Sequence, residues 1–89
     1  MSDVNATLVE RGSRYGRFTD HAAITQQLKV DMRLHPKWGQ LEADHREALE
    51  MIAHKIGRIL NGDPDYADSW HDIAGYAQLV ERRINGEPI

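Results

Sequence analysis

Four consecutive residues, Asn61-Gly62-Asp63-Pro64, restrict the fold of this 89-residue chain more than any other stretch. Asparagine and glycine tolerate the backbone that ends a helix, aspartate is a good N-cap, and proline suits a first helical position. A stop and a start this close together make the chain reverse, so the flanking helices read as an antiparallel pair. Upstream, Leu49, Ile52, Ile56 and Ile59 recur at spacings of 3, 4 and 3. Asp44, with Glu47 three residues on, reads as an aspartate variant of the capping box, which predicts a helix over Asp44–Leu60. Downstream, Trp70, Ile73, Ala77, Val80 and Ile84 form a second stripe, closed by Asn85-Gly86.

An earlier helix is predicted from Asp20 or His21 to Leu34, carrying Ile24, Leu28 and Met32 and stopped at His35-Pro36. Lys37 to Glu42 reads as a connector with a turn near Trp38. Val4–Arg11 reads as a short helix broken at Gly12, leaving residues 1 to about 19 largely irregular. No segment alternates like a strand, and there is no repeat or low-complexity tract. The expected fold is all-α: a single domain over residues 1–89 forming an antiparallel helical bundle. A chain this small, without cysteine, has oligomerisation as its remaining source of extra stability. The width of the apolar stripes predicts a homodimer or a dimer-based tetramer. A net charge of −3 with mixed signs gives no electrostatic ground for nucleic-acid or membrane binding. No apolar run reaches the length of a membrane span, and Met1-Ser2-Asp3-Val4 does not open a signal peptide, so a cytoplasmic protein is expected.

Two acidic clusters then stand out. Glu47 and Glu50 lie near the start of one predicted helix, and Asp68 and Asp72 near the start of the next. Carboxylates three or four apart share a helix face, and two such helices packed together can aim several oxygen ligands at one point. That is the chemistry of a hard divalent cation, Mg²⁺ or Mn²⁺ in its place. At 100° per residue, Asp72 falls between Tyr76 and Leu79 at the edge of the apolar arc, with Asp68 about 40° away. A carboxylate beside a core is costly unless paired or metal-bound. Taken singly, each has a plainer role: Glu47 in the capping box, Asp68 at a helix dipole, Glu50 beside His54, Asp72 in an ion pair. His45, His54 and His71 lack the spacing of a transition-metal site.

These segments resemble the all-α nucleoside triphosphate pyrophosphohydrolases, whose motif is Glu-x-x-Glu on one helix and Glu-x-x-Asp on the next. The closer likeness is to small MazG-like proteins, many of them phage-encoded. It is carried by Arg11-Gly12-Ser13-Arg14-Tyr15-Gly16, by Lys55-Ile56-Gly57-Arg58 and by Asp68-Ser69-Trp70-His71-Asp72-Ile73-Ala74-Gly75-Tyr76-Ala77. Glu47 and Glu50 match the first motif and Asp72 closes the second. Ser69 stands where the second motif has its glutamate, with Asp68 one position earlier.

The resemblance implies a MazG-like bundle completed between subunits and Mg²⁺-dependent conversion of a nucleoside triphosphate to a monophosphate and pyrophosphate, or a degenerate relative of that activity. Glu47, Glu50, Asp68 and Asp72 would hold the metal, and Glu47 or Glu50 would position or deprotonate the attacking water. Lys55, Arg58 and Arg14 are candidate phosphate contacts. Arg11, Arg14 and Arg17 read either as a clamp interleaved with Gly12 and Gly16, or as neighbours of a turn that packs Tyr15 and Phe18. The alternative function is a non-catalytic helical interaction or nucleotide-binding protein. The metal reading expects oxygens of Glu47 or Glu50 within one cation's reach of Asp72.

Overall fold

A computed structural model describes residues 3–89. Among them are four α-helices and no strand: α1 (Val4–Tyr15), α2 (Phe18–Arg33), α3 (Ala43–Asn61) and α4 (Ala67–Ile84). A 3₁₀ turn over Pro36–Gln40 links α2 to α3. Among the described residues, no helix is long and apolar enough to cross a membrane.

Side-chain pairs give the helix directions. Asp44 at the start of α3 receives both arms of Arg83 from the end of α4, at 2.7 and 2.8 Å. Lys55, further along α3, meets Asp72 in the first half of α4 at 3.0 Å. The two helices are therefore antiparallel. Glu50 meets Arg33 at the end of α2, whereas the backbone carbonyl of His54 meets His21 near its start, so α2 and α3 are antiparallel too. The central helix is α3. Both α2 and α4 pack on it, and α1 touches its C-terminal end.

Several local readings of the sequence are corrected. The N-terminal segment is not irregular: Asp3 caps α1 by accepting from the Ala6 N–H, and the helix runs through Gly12 to Tyr15. Nothing approaches Gly12, so it costs the helix only its intrinsic penalty of about 1 kcal/mol relative to alanine. The break comes at Gly16, whose φ of 77° suits glycine. Residues 1 and 2 lie outside the described part. Helix α2 starts at Phe18 rather than Asp20. The cap of α3 is Glu42, whose N–H donates to Nδ1 of His45 at 3.0 Å. Asp44 is drawn away to Arg83, so it does not cap. Asp63 does not start a helix either. Its carboxylate accepts from the Asp65 N–H at 2.9 Å, closing a turn, and α4 begins at Ala67. Gly62 has φ −131°, so its role is room rather than a left-handed backbone: a Cβ would lie 2.3 Å from the Arg14 carbonyl oxygen.

The helix contacts are made by small residues. Ala48, Ala53, Gly57 and Ser69 are buried, as are Thr25, His21 and Lys55, while no large side chain among the described residues is fully enclosed. The chain is open for its length. Its radius of gyration is 15.1 Å, against about 12 Å for a compact chain this long. Its accessible surface is 6496 Å², where a compact chain of this mass exposes about 5,300 Å². Leu49, Ile56, Leu60 and Trp70 contribute exposed apolar surface.

Glycines on α3 and α4 give contrasting expectations. A Cβ at Gly57 would lie 2.5 Å from the Thr25 hydroxyl oxygen and 3.1 Å from the His21 ring, whereas nothing lies near Gly75. Urea unfolding should show Gly57→Ala destabilising by about 1–3 kcal/mol and Gly75→Ala stabilising by up to about 1 kcal/mol. Equal effects at the two sites would contradict the close α2–α3 crossing.

Candidate functional site

The acidic residues that the sequence groups together are held apart. Asp72 bonds the ammonium of Lys55, whose side chain is only 10% accessible in the seam between α3 and α4. That hydrogen bond, then the lysine charge, lowers the Asp72 pKa below the usual carboxylate value. Glu50 is paired with Arg33 of α2. Glu47 is exposed on α3. Asp68 is exposed in the first turn of α4, where its carboxylate raises the pKa of the Tyr66 hydroxyl. Among the described residues, no three acidic or histidine side chains gather around one point. The four carboxylates as placed do not fit a divalent cation. Two already have cationic partners, and the Lys55 ammonium beside Asp72 repels a further positive charge. Ser69 belongs to the same packing: it is 3% exposed, and a glutamate at this position would need room for three more heavy atoms. Lys55, read as a phosphate contact, is turned into this seam.

The other cationic residues meet elsewhere. The C-terminal part of α1, the start of α2 and the last turns of α3 enclose a cleft of about 460 Å³. Leu8, Arg11, Tyr15, Arg17, Phe18, His21, His54 and Arg58 line it, with Gly12 and Gly16. A second lobe of about 240 Å³ adjoins it, sharing Arg11, Tyr15 and Arg58 and adding Thr7, Glu10, Arg14 and Tyr66. The end of α3 fixes this geometry. The Asn61 side-chain amide donates to the Tyr15 and Arg17 carbonyls, both at 2.9 Å, and the Asp63 N–H donates to the Arg14 carbonyl at 2.8 Å. Gly16 makes the approach possible, because a Cβ there would lie 2.2 Å from the Asn61 carbonyl oxygen. Once the turn is pinned, the Arg58 guanidinium lies 4.0 Å from the Tyr15 ring centre and that of Arg14 4.6 Å from Tyr66. The tyrosine rings meet edge to face at 5.9 Å.

Arg11, Arg14 and Arg58 have no carboxylate at ion-pairing distance among the described residues, and Arg17 has only Asp20 at 3.9 Å. In a chain of net charge −3, this is a local excess of positive charge that an anion would relieve.

The inner wall is a histidine pair that the sequence reading does not assemble. His21 and His54 stand edge to face at 4.6 Å. Nε2 of His21 lies 3.0 Å from the His54 carbonyl oxygen, which can only accept, so this nitrogen carries the proton. The Thr25 hydroxyl donates to the His21 carbonyl at 2.9 Å. Burial, then the Arg58 charge and the charges of His21 and the nearby lysines, pushes the His54 pKa down to about 4. The available sequence signal was His21 and Thr25 at i, i+4, but their partners lie on α3. Asn61 was legible only as a helix stop.

The described chain is thus an all-α domain with a cationic and aromatic cleft and with its four motif carboxylates held apart on α3 and α4. It belongs to the family described as a domain of unknown function (DUF6378), which matches residues 3–84. No curated protein and no solved structure matches it.

The His54 shift has a definite sign. Between pH 6.5 and about 4 the unfolded chain takes up a proton that the folded chain refuses, so stability falls as pH falls. Asp44 and Asp72, whose pKa values are lowered, add to this loss at lower pH. Melting temperature should therefore drop from pH 7 to pH 4.5, and His54→Gln should flatten that slope. An unchanged slope in His54→Gln would contradict the environment assigned to His54.

Proposed function

We propose that this chain is a nucleotide-binding domain, a degenerate relative of the all-α nucleoside triphosphate pyrophosphohydrolases. The observation that carries the reading is the convergence of Arg11, Arg14 and Arg58 in one cleft with no carboxylate partner. Guanidinium groups bind phosphate oxygens through paired, charge-assisted hydrogen bonds, so three of them suit a polyphosphate. Tyr15 and Tyr66 hold Arg58 and Arg14 by their π faces and leave the N–H edges free for a ligand. On this reading phosphate binding does not require a metal.

Hydrolysis is the second reading. One observation favours it: Glu47, His54 and Arg58 recur at i, i+7 and i+11, so they share one face of α3. A polyphosphate entering at Arg58 would point along that face towards Glu47. Mg²⁺ or Mn²⁺ would need Asp72 and Glu50 released from Lys55 and Arg33.

The domain also pairs with a second copy of itself. Its accessible area exceeds that of a compact chain by roughly 1,200 Å², more than the roughly 800 Å² that each partner buries in a standard interface. Leu49 and Ile56 recur at i, i+7 and are the central candidates for that interface. Light scattering is expected to give at least twice the 10.2 kDa of one chain, and Leu49→Glu with Ile56→Glu to shift it to monomer. A monomeric wild type at micromolar concentration would contradict the pairing.

Calorimetric titration with nucleoside triphosphates, in EDTA and in Mg²⁺, tests the nucleotide reading. Binding is expected in EDTA, weakened about tenfold or more by Arg14→Ala or Arg58→Ala. Absence of binding under both conditions would refute it. Mg²⁺-dependent pyrophosphate release that Asp72→Asn abolishes would favour the hydrolase instead.

A further inference from the structure

The two lobes of the cleft differ in chemistry. The smaller is lined by Thr7, Glu10, Arg14 and Tyr66 and shares Arg11, Tyr15 and Arg58 with the larger. Besides those shared residues, the larger presents Leu8, Phe18, His21 and His54, together with Arg17, which has Asp20 at 3.9 Å. Phe18 is 77% exposed, with only a tilted contact to His21 at 6.4 Å between ring centres. An aromatic ring left this open at a cleft mouth offers a stacking surface. Neither ring nitrogen of His54 has a hydrogen-bond partner among the described residues, whereas His21 is committed to the His54 carbonyl. A neutral imidazole presents one donor and one acceptor, the complement that the edge of a nucleobase requires.

We propose that the larger lobe is a nucleobase site, with the base stacked on Phe18 and read at its edge by His54, while the phosphates extend into the arginine lobe. This rests on the nucleotide reading above and makes it specific: the ligand is a nucleoside polyphosphate, and inorganic polyphosphate engages only half of the site. The two lobes adjoin, because Arg11, Tyr15 and Arg58 line both, which gives a path from base to phosphate. Burial of His54 keeps its own ring neutral, with one donor and one acceptor to offer the base. The net charge of −3 and the small volume of the cleft favour a single small nucleotide over a nucleic-acid strand.

The test is calorimetry in EDTA on the full chain, with the four ribonucleoside triphosphates and inorganic tripolyphosphate as probes. At least one nucleotide is expected to bind about tenfold or more tightly than tripolyphosphate, the amount one stacked base contributes. Phe18→Ala should remove about that factor for nucleotides and leave tripolyphosphate unchanged. His54→Leu should in addition level the preference among the four bases. Since Phe18 is largely exposed, its variant keeps the test valid even if His54→Leu folds poorly. Equal binding of nucleotide and tripolyphosphate, unaffected by Phe18→Ala, would overturn the base site while leaving the phosphate reading standing. Failure of every probe to bind would overturn both.

Discussion

A lysine ammonium held in the seam between two helices must have a carboxylate in contact, because an unpaired charge there is strongly destabilising. Lys55 and Asp72 meet that requirement, and much of the structure follows from it. Their contact sets one point of the α3–α4 register, and the two-armed Arg83–Asp44 pair sets another near the opposite end. Between them α3 buries Ala48, and Ser69 is buried on α4 about one turn before Asp72. With Asp72 committed to Lys55 and Glu50 to Arg33, the acidic motif serves the packing of α3 against both neighbours.

The surface proposed to bind a ligand lies elsewhere. Helix α1 carries no buried residue, so it contributes little to a core. It is held chiefly at its C-terminal end, where Asn61 and Asp63 bond the carbonyls of Arg14, Tyr15 and Arg17. Those few bonds place Tyr15 and Tyr66 against Arg58 and Arg14, which line the cleft. Segments with few buried contacts open at low free-energy cost, which suits a wall that a ligand must pass.

The helices of this chain were legible where period and punctuation agree. Leu49, Ile52, Ile56 and Ile59 announced α3, and Trp70 to Ile84 announced α4, because each stripe is closed by a stop signal. Caps were less legible. Asp44 and Asp63 are good capping residues, yet Arg83 and the Asp65 N–H claim their carboxylates first. Gly12 read as a break because propensity is local, whereas the stop at Gly16 depends on Asn61, 45 residues away in sequence. Arg14 and Arg58 were recognisable as cations able to bind phosphate. The burial of Lys55 and the pairing of His21 with His54 were not, since each depends on which helix lies opposite.

The central claim is that Asp72 serves Lys55, and a double-mutant cycle measures this directly. Wild type, Lys55→Met, Asp72→Asn and the double variant would be unfolded in urea with EDTA present. Strong coupling is expected: Asp72→Asn alone destabilises by leaving the ammonium unpaired, and the double variant recovers much of that loss. If Asp72→Asn instead raised stability, with an effect additive to that of Lys55→Met, the carboxylate would be held for some other cation and the account would fail.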